Sequence, residues 1–202
     1  MRYIAIDTSA KNLTIIAYDN GKIHKVFDEE CGVNHSTELM PKLEELLQKA
    51  NFDLKDADFL ACVVGAGSFT GIRIGVATVK ALCFAYKKPC LSITSFDTLA
   101  YNEKEGKVLA VIDAKHNGFY VCGYDNYKID FEPSYIMKER LLEIASDYQV
   151  VSSTDIEGIK VKKVSVCDGL INAIDKKINQ VTDDVSLLSP LYVRKSQAEE
   201  NR

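Results

Sequence analysis

The chain has 202 residues, 47% hydrophobic and 27% charged, with a formal net charge of −4 and an isoelectric point of about 5.5. That length allows one large domain or two small ones with a real core, and the acidic balance argues against a stand-alone binder of tRNA or DNA. Six scattered cysteines without a Cys-x-x-Cys pair fit buried thiols rather than a zinc site; the early charge in Met1-Arg2 and the short apolar runs lead to the expectation of a cytoplasmic protein without a membrane span.

Strands are predicted at 2–7, 13–19 and 22–28, the last two joined by the tight-turn signal Asp19-Asn20-Gly21. A helix over 36–50 follows, with Leu39, Leu43, Leu46 and Leu47 on one stripe and Lys42, Glu44, Glu45 and Lys49 off it. The unbroken apolar run 58–64 reads as a strand buried on both faces. A glycine-rich loop, a helix over 69–86 and a strand at 90–93 close the block, an order that suits a mixed sheet with helices against it.

The next strand, 107–113, opens a repeat of the start. Residues 7–22 lie over 113–128 without a gap and share Asp7/Asp113, Tyr18/Tyr124, Asp19/Asp125, Asn20/Asn126 and Lys22/Lys128. Two similar α/β lobes of mixed sheet with flanking helices are therefore expected, divided as 1–104 and 105–202. Helices near 136–146 and 168–179 and a strand near 148–152 extend the second lobe, and 189–202 reads as a polar tail.

The loop Gly65-Ala66-Gly67-Ser68-Phe69-Thr70-Gly71-Ile72-Arg73-Ile74-Gly75 raises the question of phosphate binding. A phosphate-cradling loop needs Lys-Ser or Lys-Thr after its last glycine, and here Ile72 follows Gly71. The dinucleotide pattern needs one residue fewer between its last two glycines, and an acidic residue about twenty positions on. A structural reading survives: Gly65 and Gly67 permit positive φ, and Ser68 caps a helix. That helix is apolar nearly all round, so a second protein or the helix at 36–50 must cover what a sheet leaves, with Gly71 and Gly75 allowing close approach.

The segments Ile6-Asp7-Thr8-Ser9, His35 to Pro41, Gly65 to Gly75, Ile112 to Lys115 and Pro190 to Arg194 resemble the TsaB (YeaZ) family across essentially the whole chain. Ala66, where the family usually has proline, and a short carboxyl-terminal region are departures. The resemblance implies the duplicated, ribonuclease H-like fold of actin-like ATPases and sugar kinases (the ASKHA fold). It also implies a part in threonylcarbamoyl modification of adenosine 37 in tRNA, as the non-catalytic partner of a TsaD-like catalytic subunit and a TsaE-like ATPase. An older name for the family is glycoprotease-like peptidase.

The catalytic relatives place a His-x-x-x-His metal pair just beyond the strand that follows the glycine-rich helix, and those positions fall here on Ser95 and Leu99. His24, His35 and His116 remain, read as solvated, as capping or packing, and as a turn residue, respectively. Asp7 and Asp113 read as turn and cap residues, with a nucleotide contact as the alternative; no cofactor is expected beyond ATP or ADP at a junction with the catalytic subunit. Met40, Leu43, Leu47, Ile72, Val76, Val79 and Cys83 are the candidate partner contacts, on two helices side by side, and would pair the lone protein with itself. Gly65, Gly67, Ser68, Gly71, Arg73 and Gly75 form the structural motif. The rival readings are a metal- or ATP-dependent hydrolase acting alone and an RNA-binding module resting on Arg194 and Lys195.

Overall fold

The structure, a computed structural model, describes residues 1–194 and divides into two compact units. The first holds Met1–Thr94 and Ile174–Leu191; the second holds Ser95–Ala173 and the segment from Tyr192. The division falls ten residues before the 104/105 boundary read from the sequence, and the chain returns to the first unit part-way along a late helix. Of the tail expected at 189–202, Lys195 onward lies outside the described residues.

In the first unit, β1 (Arg2–Asp7), β2 (Leu13–Asp19) and β3 (Lys22–Asp28) form an antiparallel meander. Then α1 (His35–Ala50), β4 (Phe59–Val63), α2 (Phe69–Tyr86) and β5 (Cys90–Ile93) follow, giving the strand order β3-β2-β1-β4-β5 with β1, β4 and β5 parallel. Alternation does the sorting: Ile4, Ile6, Leu13 and Ile15 pack with Leu39, Leu43 and Leu46 of α1 and with Ile72, Val76 and Val79 of α2. On the opposite face Tyr3 stacks between Tyr18 and Phe59, with centroids 4.8 and 5.2 Å away. The free edge of β5 is closed by Thr182, whose backbone exchanges two hydrogen bonds with Cys90, at 2.8 and 3.0 Å.

The second unit opens with α3 (Ser95–Ala100), a helix that the sequence reading, which ended its strand at 93, did not predict. Its sheet, β10-β9-β6-β7-β8, comprises β6 (Lys107–Asp113), β7 (Gly118–Asp125), β8 (Lys128–Met137), β9 (Gln149–Ser152) and the two-residue β10 (Lys162–Lys163). Strands β6, β7 and β8 are antiparallel, and β9 joins β6 in parallel. Helix α4 (Lys138–Ile144) places Leu141 and Ile144 on Leu109, Val111, Phe119 and Val121. Helix α5 (Val166–Lys177) runs out of this unit, through Ala173, into the first.

The two sheets share one wiring, a meander extended by parallel strands, as the expected duplicated ribonuclease H-like fold requires. The repeat extends to the turns. Asn20 and Asn126 both sit at φ 49°, followed by Gly21 at 93° and Tyr127 at 68°. In the second lobe β8 runs on to Met137, so the expected helix at 136–146 shortens to Lys138–Ile144.

Helix α2 corrects one expectation. Its 18 residues are long and apolar enough, by composition, to cross a bilayer, although the sequence reading found no such run. Here one face of it covers β4 and β1, the ordinary use of such a helix in a core.

Candidate functional site

The glycine loop leaves β4 and presses backbone against the end of β1. A Cβ on Gly67 would lie 2.1 Å from the carbonyl oxygen of Ser9, and one on Gly71 would lie 2.0 Å from that of Thr8. Hydrogen bonds close the same contact: the Ser68 amide donates to the Ser9 carbonyl at 2.7 Å, and the Thr8 hydroxyl donates to the Gly71 carbonyl at 2.7 Å. Ser68 caps α2 by accepting from the Gly71 amide at 3.2 Å. Gly65 sits at φ 112° and the Gly65–Ala66 peptide is cis. The carbonyl of neighbouring Val64 accepts from the Leu191 amide at 2.7 Å, which ties the start of the polar tail to the loop.

Gly71 and Gly75 therefore allow close approach to Thr8 of the same unit; a Cβ on Gly75 would stand 2.5 Å from the Thr8 hydroxyl. The expectation that these glycines admit a second protein is corrected accordingly. Arg73 is exposed and stacks its guanidinium on Phe69, 3.8 Å from the ring centre.

Asp7 sits beneath the loop, fully buried, and its Oδ1 accepts from the Ser9 amide at 2.8 Å and the Ser9 hydroxyl at 2.7 Å. Burial pushes its carboxyl above the usual range, against the opposing pull of Ser9 and His35. Asp113, its counterpart in the repeat, is held in the open. Lys115 donates to it through the backbone amide at 2.7 Å and through Nζ at 3.0 Å. Partial burial pushes that carboxyl upward, but the bonds from Lys115 outweigh it and leave it below the usual range. Two aligned aspartates thus occupy opposite environments.

The histidines divide in the same way. His35 is buried at the start of α1 with Nε2 3.2 Å from the Asn12 carbonyl oxygen, His24 is half-buried on the edge strand β3, and His116 is exposed in the turn after β6 at φ 52°. Ser95 and Leu99 stand one turn apart on α3, both buried. Among the described residues no group of three or more His, Cys, Asp or Glu side chains could hold a metal ion. All six thiols are free and buried, and burial beside Cys90 pushes Cys83 up to about 12.

The seven residues expected to touch a partner part company. Leu43, Ile72, Val76, Val79 and Cys83 are buried in the core of their own unit, where no partner can reach them. Leu47 is half-buried and Met40 is 48% exposed. The periodic apolar stripe marks the face that meets the sheet, which leaves the other face exposed. The outward face of α2 carries Thr70, Arg73, Ala77, Ala81, Phe84 and Ala85. Phe84, 87% exposed, is a large ring set among alanines. Its position opposite the buried Ile72, Val76 and Val79 was available in the sequence, but the alanines around it blurred the contrast between faces.

Residues 22–165 match the family described as "TsaD: tRNA N6-adenosine threonylcarbamoyltransferase". The chain belongs to this family. Curated relatives named "tRNA threonylcarbamoyladenosine biosynthesis protein TsaB" place it on the TsaB (YeaZ) side of the family. The one from Escherichia coli K12 is 31% identical over 128 residues, 61% of this chain and 55% of its own length. The one from Haemophilus influenzae is 28% identical over 198 residues, 94% of this chain and 82% of its own. The chain thus spans little more than half the length of the first of these relatives. A solved Pseudomonas aeruginosa structure entitled YeaZ superposes with a TM-score of 0.77 at 21% identity, covering 95% of this chain and 99% of that one, which establishes the shared fold.

Proposed function

We propose that the chain is the non-catalytic subunit of the assembly that makes N6-threonylcarbamoyladenosine in tRNA, and that it docks a TsaD-like catalytic subunit through the outward faces of α1 and α2. The observation that carries this reading is the exposed Phe84 on a helix whose other side is locked into the core. A large ring so exposed beside alanines is the kind of anchor that interfaces bury. Two further features support it. The glycine loop lies against Ser9 and Thr8, so Asp7 is enclosed by its own unit, and Ser95 and Leu99 occupy the positions where the resemblance places the histidines of the catalytic relatives. In this reading tRNA is engaged through the complex, a TsaE-like ATPase joins it, any ADP or ATP lies at the junction with the catalytic subunit, and the lone protein pairs with itself through the same face.

The test is co-purification with the TsaD-type protein of the same source, using wild type and Phe84→Glu. Wild type is expected to form the complex, and Phe84→Glu to keep its fold but lose at least tenfold in affinity. A wild-type pair that elutes as separate proteins would overturn the reading. So would turnover of ATP or a peptide by the lone chain, which belongs to the hydrolase alternative.

A further inference from the structure

At the carboxyl-terminal end of α1 and α2 an open cleft of about 560 Å³ is lined by Glu44, Leu47, Phe52, Asp53, Asp56 and Tyr86 among others. We propose that this cleft receives a cationic side chain, arginine foremost, from the docked partner; the proposal rests on the docking reading above and names the chemistry of one end of that surface.

Three observations converge on it. The cleft continues the candidate face: Glu44 lies one helical turn beyond the exposed Met40, Leu47 is half-buried on α1, and Tyr86 ends α2. Its chemistry already holds a guanidinium at the rim. Arg2 stacks on Phe52, 4.7 Å from the ring centre, with Nη1 3.1 Å from Asp56 and Nε 3.0 Å from Asp19.

Negative charge is left over after Arg2 is placed. Glu45 turns to Lys49 at 2.6 Å, but no cation among the described residues pairs with Glu44. Among the described residues Asp53 has only the exposed Lys55 as a cation, at 3.8 Å, while its other oxygen caps the turn at Leu54 by accepting from the Lys55 amide at 2.9 Å. Phe52 is buried beneath Arg2, so the half-buried Tyr86 is the ring left to the cleft; beside it Glu44, without a cation among the described residues, and the loosely paired Asp53 suit a planar cation and disfavour an acidic or purely aliphatic group. Docking would exclude water from the cleft and strengthen the pairing.

The experiment measures the dissociation constant of the complex with the TsaD-type protein by calorimetry, at low and high sodium chloride, for wild type, Glu44→Gln, Glu44→Lys, Asp53→Asn and Phe84→Glu. Asp53→Asn keeps the turn cap, and the exposed Glu44 can be changed without unfolding, which melting curves check. Glu44→Lys should weaken binding about tenfold at low salt and the two neutral variants about threefold, with the differences shrinking at high salt as screening removes the Coulombic part. Affinities of the Glu44 and Asp53 variants equal to wild type, with Phe84→Glu still impaired, would sink the cleft proposal and leave docking standing. A Phe84→Glu variant that binds as wild type would sink the docking reading itself.

Discussion

At the residue scale, Asp7 is a buried carboxyl that accepts two hydrogen bonds from Ser9. Its carboxyl is raised chiefly by burial, so the folded state holds the proton more tightly than the unfolded chain does. For a raised acid the stability is greatest below the unfolded carboxylate range and falls as pH climbs through the folded value. Asp7→Asn keeps an oxygen that accepts both Ser9 bonds and removes that slope. Its urea midpoint is expected to gain on wild type between pH 4 and pH 8; a gap independent of pH would show the carboxylate to be comfortably ionised. Gly71 gives a second test at this scale. A methyl group there meets the Thr8 carbonyl, a backbone atom that cannot swing aside, so Gly71→Ala is expected to destabilise by at least about 2 kcal/mol. A midpoint unchanged within error would refute the close-packing account of the loop.

At the element scale, α2 teaches which parts of a sequence pattern are legible. Its limits at 69 and 86, the Ser68 cap and the positive φ of Gly65 and Gly67 follow from local chemistry, which neighbours in sequence determine. Which face stays exposed does not, because burial is decided by which side meets β4 and β1, and alanine reads as apolar on either side. The same limit explains α3 and β10. Six residues and two residues carry too little periodicity to stand out, and β10 exists only because β9 offers it an edge. The meander and its repeat were legible because Asp-Asn turns and alternating strands are local signals. Two glutamates separate the two faces of α2. Val76→Glu places an unpaired carboxylate in the core and is expected to lower stability by about 4 kcal/mol or more, whereas Phe84→Glu should change it by less than about 0.5 kcal/mol. Thermal melts of the two variants decide it; a Val76→Glu protein as stable as wild type would mean that α2 is turned the other way.

At the scale of the whole molecule, the first lobe is not a contiguous piece of chain. Leu188 is completely buried in its core, Thr182 satisfies the outer edge of β5, and the Leu191 amide bonds to Val64 at the mouth of the glycine loop. Residues 1–94 alone would therefore leave the edge of β5 open and a hole where Leu188 sits, and an open parallel edge is a template for aggregation. That piece is expected to unfold without a cooperative transition, or to aggregate. Rejoining 174–191 to it through a flexible glycine–serine linker should restore a sharp urea transition, since closing a longer loop adds only a fraction of a kcal/mol for each doubling of its length. Circular dichroism across a urea titration of both pieces gives the answer. Cooperative unfolding of 1–94 by itself would mean that the returning segment decorates the lobe rather than completes it.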